Sequence, residues 1–284
     1  MAETRTIANG GPVPALVYGT AWKEGETERL VGLALQAGFR AIDTANQRKH
    51  YFEEAVGAAL KSAFKAGIVA REKLFLQTKF THLGGQDHRL PYDAKAAVAR
   101  QVEQSFASSL QHLGVDFLDS YVLHGPSVSL GWADEDWQAW SAMEDLQRAG
   151  HTKFLGVSNV SANQLEELHQ RAAVKPAFVQ NRCFTRPHAD YAVREYCRAN
   201  EITYQGFSLL TGHRALMQSP VVQAIGERLS ATVPQVVFAY CLARGMTVLT
   251  GTTSPVHMAQ DLQTPQIQLA QSDLATMDRI LGWT

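Results

Sequence analysis

Along this chain, eight short runs of apolar and β-branched residues alternate with longer stretches of helical period, a rhythm that few architectures accommodate. The runs fall at 16–20, 41–43, 74–78, 117–124, 154–157, 178–180, 202–207 and 248–251. Helical periodicity is expected over 27–37, 53–64, 94–112, 135–149, 164–172, 189–200 and 233–244. Gly38 and Gly150 stand where C-caps belong, and Ser254-Pro255 reads as an N-cap followed by proline in the first helical position. Strands separated by helices pair in parallel, so the pattern predicts a closed parallel barrel with a final helix as a short C-terminal tail. Ahead of it, TRTIANGGPVPALVYG reads as two strands about Asn9-Gly10-Gly11, an N-terminal β-hairpin able to plug the barrel bottom. No composition break, linker or strong internal repeat divides residues 1–284, so one domain is expected.

Three runs stop abruptly at titratable residues. FRAIDTANQRKHYFEEAVG, KLFLQTKF and LDSYVLHGP put Asp43, Lys79 and His124 at consecutive strand ends. A lone charge there is costly to desolvate, whereas an acid and a base brought together partner each other. In a parallel barrel the carboxyl ends of the strands meet at one face, where polar residues read as catalytic. Singly, each has an ordinary use as a turn residue, a solvated lysine or a core imidazole; it is their placement on successive strands that points to a site.

Composition narrows the function further. The 284 residues are 45% hydrophobic and 19% charged, enough for a large core, and a net charge of -1 leaves no basic field to hold nucleic acid or anionic lipid. Cys183, Cys197 and Cys241 are odd in number with no CxxC, which argues against a disulfide framework or a zinc site and for a reducing compartment. No apolar stretch approaches the ~18 residues of a membrane span, and MAETRTIANGG lacks the apolar core of a signal peptide. A cytoplasmic enzyme of small molecules is expected, as a monomer or weak homo-oligomer.

The pattern Gly-Phe-Arg-Ala-Ile-Asp-Thr-Ala at 38–45, the Glu-rich helix start with Val56-Gly57, LDSYVLHGP and KFLGVSNVS together resemble the aldo-keto reductases over nearly the whole chain. The resemblance implies an α/β fold, a single (β/α)8 TIM barrel that binds a nicotinamide dinucleotide without a Rossmann domain; no GxGxxG or Walker A loop occurs. It also implies reduction of an aldehyde or ketone to an alcohol with NADP(H), NAD(H) being accepted too. Asp43, Lys79 and His124 match three of the four catalytic residues, and the fourth is a tyrosine. The usual spacing, five residues after the aspartate, lands instead on Arg48, and NQRKHYFEE carries an insertion, so that counting back from Glu53 nominates His50. Tyr51 is the only tyrosine in the loop and a phenol is the donor this chemistry needs, so Tyr51 is assigned. Lys79, held by Asp43, is then expected beside the phenol, lowering a pKa near 10 by roughly two units, or about 2.7 kcal/mol. His124 is expected to donate to the substrate carbonyl.

Cofactor contacts carry over likewise. Ser158, Asn159 and Gln180 match residues that hydrogen-bond the nicotinamide carboxamide, and Phe207 holds the position of the stacking aromatic. Ser208, Leu210, Gly251, Thr252, Thr253, Ser254 and His257 are candidates for the phosphates, near a helix N-terminus that favours anions. Relatives read the 2′-phosphate with a lysine and an arginine; Gly251 and His257 stand there instead, so only a modest preference for NADPH is expected. Trp22, Phe80, His82 and Trp132 are candidate substrate-lining groups, and the chain's end soon after its last helix predicts an open site. The competing reading is a regulatory protein that binds the cofactor on this fold without turnover. A Schiff-base role for Lys79 is opposed by the carboxylate expected beside it.

Overall fold

The computed structural model describes residues 4–7, 11–183 and 190–283. Strands β1 (Thr4–Ile7) and β2 (Gly11–Pro14) pair antiparallel, and Asn9 and Gly10 of the expected turn lie outside the described residues. The barrel strands are β3 (Leu16–Gly19), β4 (Ala41–Asp43), β5 (Phe75–Phe80), β6 (Leu118–Leu123), β7 (Thr152–Ser158), β8 (Phe178–Arg182), β9 (Thr203–Phe207) and β10 (Thr247–Thr250). They close in chain order, β10 returning to β3, all parallel. Around them lie α1 (Thr27–Ala37), α2 (Glu53–Lys65), α3 (Val98–Leu113), α4 (Asp134–Arg148), α5 (Ala162–Arg171), α6 (Tyr191–Ala199), the single turns α7 (Leu209–Gly212) and α8 (Arg214–Met217), then α9 (Pro220–Leu229), α10 (Val233–Ala243), α11 (Pro255–Gln263) and α12 (Gln271–Leu281).

Period-two alternation sorts every strand between barrel interior and helix layer. Val17, Ala41, Phe75, Phe178 and Leu249 fill the lowest interior layer, and Val13 of β2 joins that cluster, so the hairpin's second strand covers the barrel bottom. Two residues further along, the interior turns polar, with Asp43, Gln77, Gln180 and Gln205 all buried. The outward residues Leu76, Phe80, Tyr121, Leu123 and Val157 join the large core under the helices. Helix α2 approaches α3 so closely that a Cβ at Gly57 would lie 1.9 Å from the His112 carbonyl oxygen, which is why glycine follows Val56.

Two helices differ from expectation. α3 begins at Val98 rather than at 94, because Asp93 Oδ1 takes the Lys95 N–H at 2.9 Å and turns the chain before the helix starts. α9 is not anticipated from the sequence, although Ser219-Pro220 repeats the start signal seen at Ser254-Pro255; the Ser219 hydroxyl accepts the Val222 N–H. Ala189, the expected first residue of α6, lies outside the described residues.

Candidate active site

β4 and β5 bring Asp43 and Lys79 to one height of the barrel mouth, since the register pairs Asp43 with Gln77 and the alternation then turns Lys79 to the same face. Both are shut from solvent, at 2% and 0% exposure. Lys79 Nζ donates to Asp43 Oδ1 and Oδ2, each at 2.7 Å, and to the Thr44 carbonyl at 2.8 Å. Asp43 Oδ1 also accepts Gln77 Nε2 at 2.7 Å and Gln180 Nε2 at 2.9 Å. Gln77 reaches across the barrel to exchange hydrogen bonds with Gln205, at 2.8 and 3.2 Å. This amide cluster escapes the sequence reading. Its signal is a glutamine two residues before Lys79 and another two before Phe207, positions that share an interior face with residues already singled out.

The loop after β4 curls so that Tyr51 N–H donates to the Gln47 carbonyl at 3.0 Å. The Tyr51 ring lies 5.2 Å from Lys79 Nζ and meets the His124 ring edge-on at 5.8 Å. His50 turns elsewhere: its Nδ1 is 2.8 Å from Gln47 Oε1 and its ring sits 3.9 Å from that of Trp22. The insertion thus brings the phenol, not the imidazole, against the buried ion pair. One expectation is corrected. The phenol pKa is raised, by burial first and then by the Asp43 carboxylate, because the three hydrogen bonds of Lys79 go to Asp43 and Thr44 rather than to the phenol. Burial lowers Lys79 too, against the support of Asp43.

His124 Nδ1 lies 2.7 Å from Thr81 Oγ1. Burial, then the Lys79 charge, pushes its pKa down to about 3, so the imidazole is neutral in the working range. The sign for stability follows: the unfolded chain takes up a proton near the ordinary imidazole value of 6.5, the folded chain only near 3, so this residue's contribution is lost as pH falls through that window. Ring NMR of His124 is expected to show no protonation between about pH 8 and 5; a midpoint near 6.5 would refute this environment.

Two cavities open at this face. The first, about 650 Å³, is lined by Tyr51, His124, Asn159 and Phe207 together with Trp22, His50, His82 and Arg182. The second, about 800 Å³, adjoins it at Trp22 and is lined by Ser208, Leu210, Gly251, Thr252 and His257. Ser158 and Gln180 lie buried beneath the first: the Ser158 hydroxyl donates to the Gln180 carbonyl at 2.5 Å, and Gln180 Nε2 is held by Asp43 and Gln205. Thr253 and Ser254 line neither cavity. Ser254 instead caps α11, its hydroxyl accepting the His257 N–H, and Thr252 Oγ1 accepts the Ser254 N–H, so two donors of that terminus are already used. Two expected lining groups are also corrected. Phe80 faces the helix core, and Trp132 donates its indole N–H to the Gln164 carbonyl at 2.9 Å outside both cavities.

Two residues, one behind the wall of the second cleft and one lining it, escape the sequence reading. Lys23, only 7% exposed, donates Nζ to the Gly251 carbonyl at 2.7 Å, and burial lowers it to about 8. Asp261 lines the cleft, accepts Thr250 Oγ1 at 2.8 Å and is raised by burial to about 6. A lysine directly after the Trp22 loop carried the first signal; nothing in the helical pattern marked the second. Among the described residues no group of three metal-ligating side chains occurs, and no helix is long and apolar enough to cross a membrane.

The model of the aldo/keto reductase family matches residues 15–281. Curated relatives include an aldo-keto reductase family 1 member C1 from Pongo abelii, 30% identical over 87% of this chain and 80% of its own. A prostaglandin-E(2) 9-reductase from Oryctolagus cuniculus is 27% identical over 96% of this chain and 90% of its own. Among solved structures, an aldo-keto reductase of the silkworm, Bombyx mori, superposes with a TM-score of 0.84 at 27% identity, covering 99% of this chain and 88% of that one. An aldo-keto reductase complexed with NADPH gives 0.83 at 26% identity over the same shares of the two chains.

Proposed function

The chain belongs to the aldo/keto reductase family, and from that premise we propose that it reduces an aldehyde or ketone to the alcohol with NADP(H), Tyr51 delivering the proton. The observation that carries the reading is the Tyr51 ring packed between Lys79 Nζ and His124 at the mouth of the first cavity. The residues present suit the dinucleotide. Phe207 offers an aromatic surface in the first cavity, and among the described residues no donor reaches Gln180 Oε1 or Asn159 Oδ1, two acceptors suited to a carboxamide. The second cavity, walled by Ser208, Gly251 and Thr252, would take the remainder. When bound, the nicotinamide supplies hydride to the carbonyl carbon.

The chain's own groups manage the developing alkoxide. Thr81 fixes the His124 ring, which orients the carbonyl oxygen through a hydrogen bond, and Tyr51, kept protonated by its surroundings, gives that oxygen its proton. Asp43 and the amides behind it hold Lys79 at the foot of the ring, where its positive charge favours the phenolate left behind. Loss of absorbance at the reduced-nicotinamide band with a panel of aldehydes and ketones tests the reading; oxidation with none of them would leave a cofactor-binding protein. Three free, buried cysteines suit a reducing compartment such as the cytoplasm.

The same cleft bears on cofactor choice. Gly251 brings no side chain, His257 is exposed with Nδ1 3.5 Å from Thr252 Oγ1, and among the described residues no lysine or arginine lines this cavity. The Asp261 carboxylate opposes a 2′-phosphate, while Lys23 behind Gly251 is the cation bonded nearest to it. Both cofactors are expected to work, with a preference for NADPH in kcat/KM below about 100-fold, or about 2.7 kcal/mol. A larger ratio in steady-state kinetics would mean that the phosphate is read by residues other than these.

A further inference from the structure

The buried amides around Asp43 admit one arrangement of their atoms. A carboxylate only accepts, so the Gln77 and Gln180 atoms that meet Asp43 Oδ1 at 2.7 and 2.9 Å are both amide nitrogens. Each nitrogen has a second hydrogen, and both of these go to Gln205 Oε1, at 2.8 and 3.0 Å. Gln205 in turn gives its own Nε2 hydrogen to Gln77 Oε1 at 3.2 Å. Gln77 and Gln205 are fully shut from solvent and Gln180 nearly so. Turning any of the amides over would set like atoms against each other at these distances, in an interior where no water repairs the loss.

The pair Gln77 and Gln205 spans the barrel from β5 to the opposite strand β9. Two residues further along these strands stand Lys79, in the ion pair, and Phe207, on the wall offered to the cofactor. Apolar side chains would fill this floor without the cost of desolvating two amides. What the amides add is a link between the two sides, and Gln180 is where they meet. Both its hydrogens are occupied by Asp43 and Gln205, so only Oε1 remains to accept from a carboxamide. A donor on that oxygen polarises the Nε2 hydrogens and strengthens their bond to Asp43, which draws the carboxylate's negative charge away from the phenol. We infer that Gln77 and Gln205 are positioning residues that couple the cofactor side of the site to its proton donor, by holding Asp43 and Gln180 in one hydrogen-bonded unit. The inference rests on the reductase reading above.

The test uses Gln77→Met, Gln205→Met and the double variant, since methionine keeps the length of the side chain without its donors. Thermal unfolding, NADPH titration by tryptophan fluorescence and the pH dependence of alcohol oxidation are read on each. A single substitution leaves an amide short of a partner and should lower Tm, whereas the double removes both halves of the pair and should recover much of it. A purely structural pair would recover the other readouts as well. The double variant is instead expected to bind NADPH about three to ten times more weakly than wild type. Its basic limb should also lie at higher pH, because Asp43 has lost a donor and its charge bears more heavily on Tyr51. Gln205→Met alone should already show the weaker NADPH binding, so the question is decided even if the double fails to fold. NADPH affinity within about twofold of wild type in both folded variants, or a limb that does not move, would overturn the inference while wild-type turnover keeps the reductase reading. A wild-type chain that binds NADPH but turns over no carbonyl or alcohol would overturn the reductase reading and the coupling with it.

Discussion

Replacing Tyr51 with phenylalanine should lower kcat/KM for carbonyl reduction by about 10² to 10⁴, the range typical of a deleted general acid. The variant should fold and bind cofactor almost as before. No described residue is hydrogen-bonded to the Tyr51 hydroxyl, so its removal orphans nothing, and the ring itself keeps its contacts with His124 and Lys79. The dinucleotide candidates sit on β7 to β10 and α11, across the barrel mouth from this loop. His50→Ala should do much less to carbonyl reduction: Gln47 Nε2 donates to the Gly85 carbonyl, which leaves the Gln47 amide oxygen facing His50 Nδ1, so a neutral His50 spends its one N–H there and has no proton to give. Stopped-flow or steady-state rates alongside NADPH titration by tryptophan fluorescence separate the two effects. If Tyr51→Phe stays near wild type while His50→Ala loses turnover, the proton donor is His50.

The parts of this chain that were legible in sequence are those set by periodicity. All eight barrel strands fall within a few residues of the expected runs, because a strand buried on both faces must be short, apolar and bounded by turns. Asp43, Lys79 and His124 were visible for the converse reason, that a charge ending an apolar run needs a partner, and the ion pair shows which one. What periodicity could not carry was pairing within the polar layer. Gln77 reads as one odd residue inside LFLQTKF until the closed barrel brings β9 opposite β5 and supplies Gln205. Glu53 was a helix-start residue in sequence; folded, it is buried and accepts from Thr78, Ser109 and His112, which ties α2 and α3 to β5. Nor could spacing decide between His50 and Tyr51, since the insertion changes loop shape, and shape alone aims one ring at Lys79 and the other at Trp22.

Lys79→Met and Asp43→Asn should each cost both stability and turnover, and the two costs can be told apart. Removing one member of a buried ion pair leaves the other uncompensated, at about 3 to 5 kcal/mol. In Lys79→Met the Asp43 carboxylate retains only the Gln77 and Gln180 amides; in Asp43→Asn the ammonium retains the Thr44 carbonyl and a neutral amide. The double variant Asp43→Leu with Lys79→Met removes both charges, so much of the stability should return, as it often does when a buried pair is replaced by apolar groups. Turnover should not return. An ammonium 5.2 Å from the ring favours a phenolate there by about 3 kcal/mol at an effective dielectric of about 20, roughly two pKa units. Without it, and with Asp43 unbalanced, the phenol shifts further upward and the basic limb of the pH profile for alcohol oxidation should move to higher pH. His124 gives a second readout. The Lys79 charge is one of the causes holding that imidazole near 3, so in Lys79→Met its titration should move upward toward the ordinary range, visible in the ring NMR signals. A variant with an unshifted His124 and an unshifted rate profile would leave Lys79 a purely structural cation, and the charge acting on Tyr51 would have to come from elsewhere.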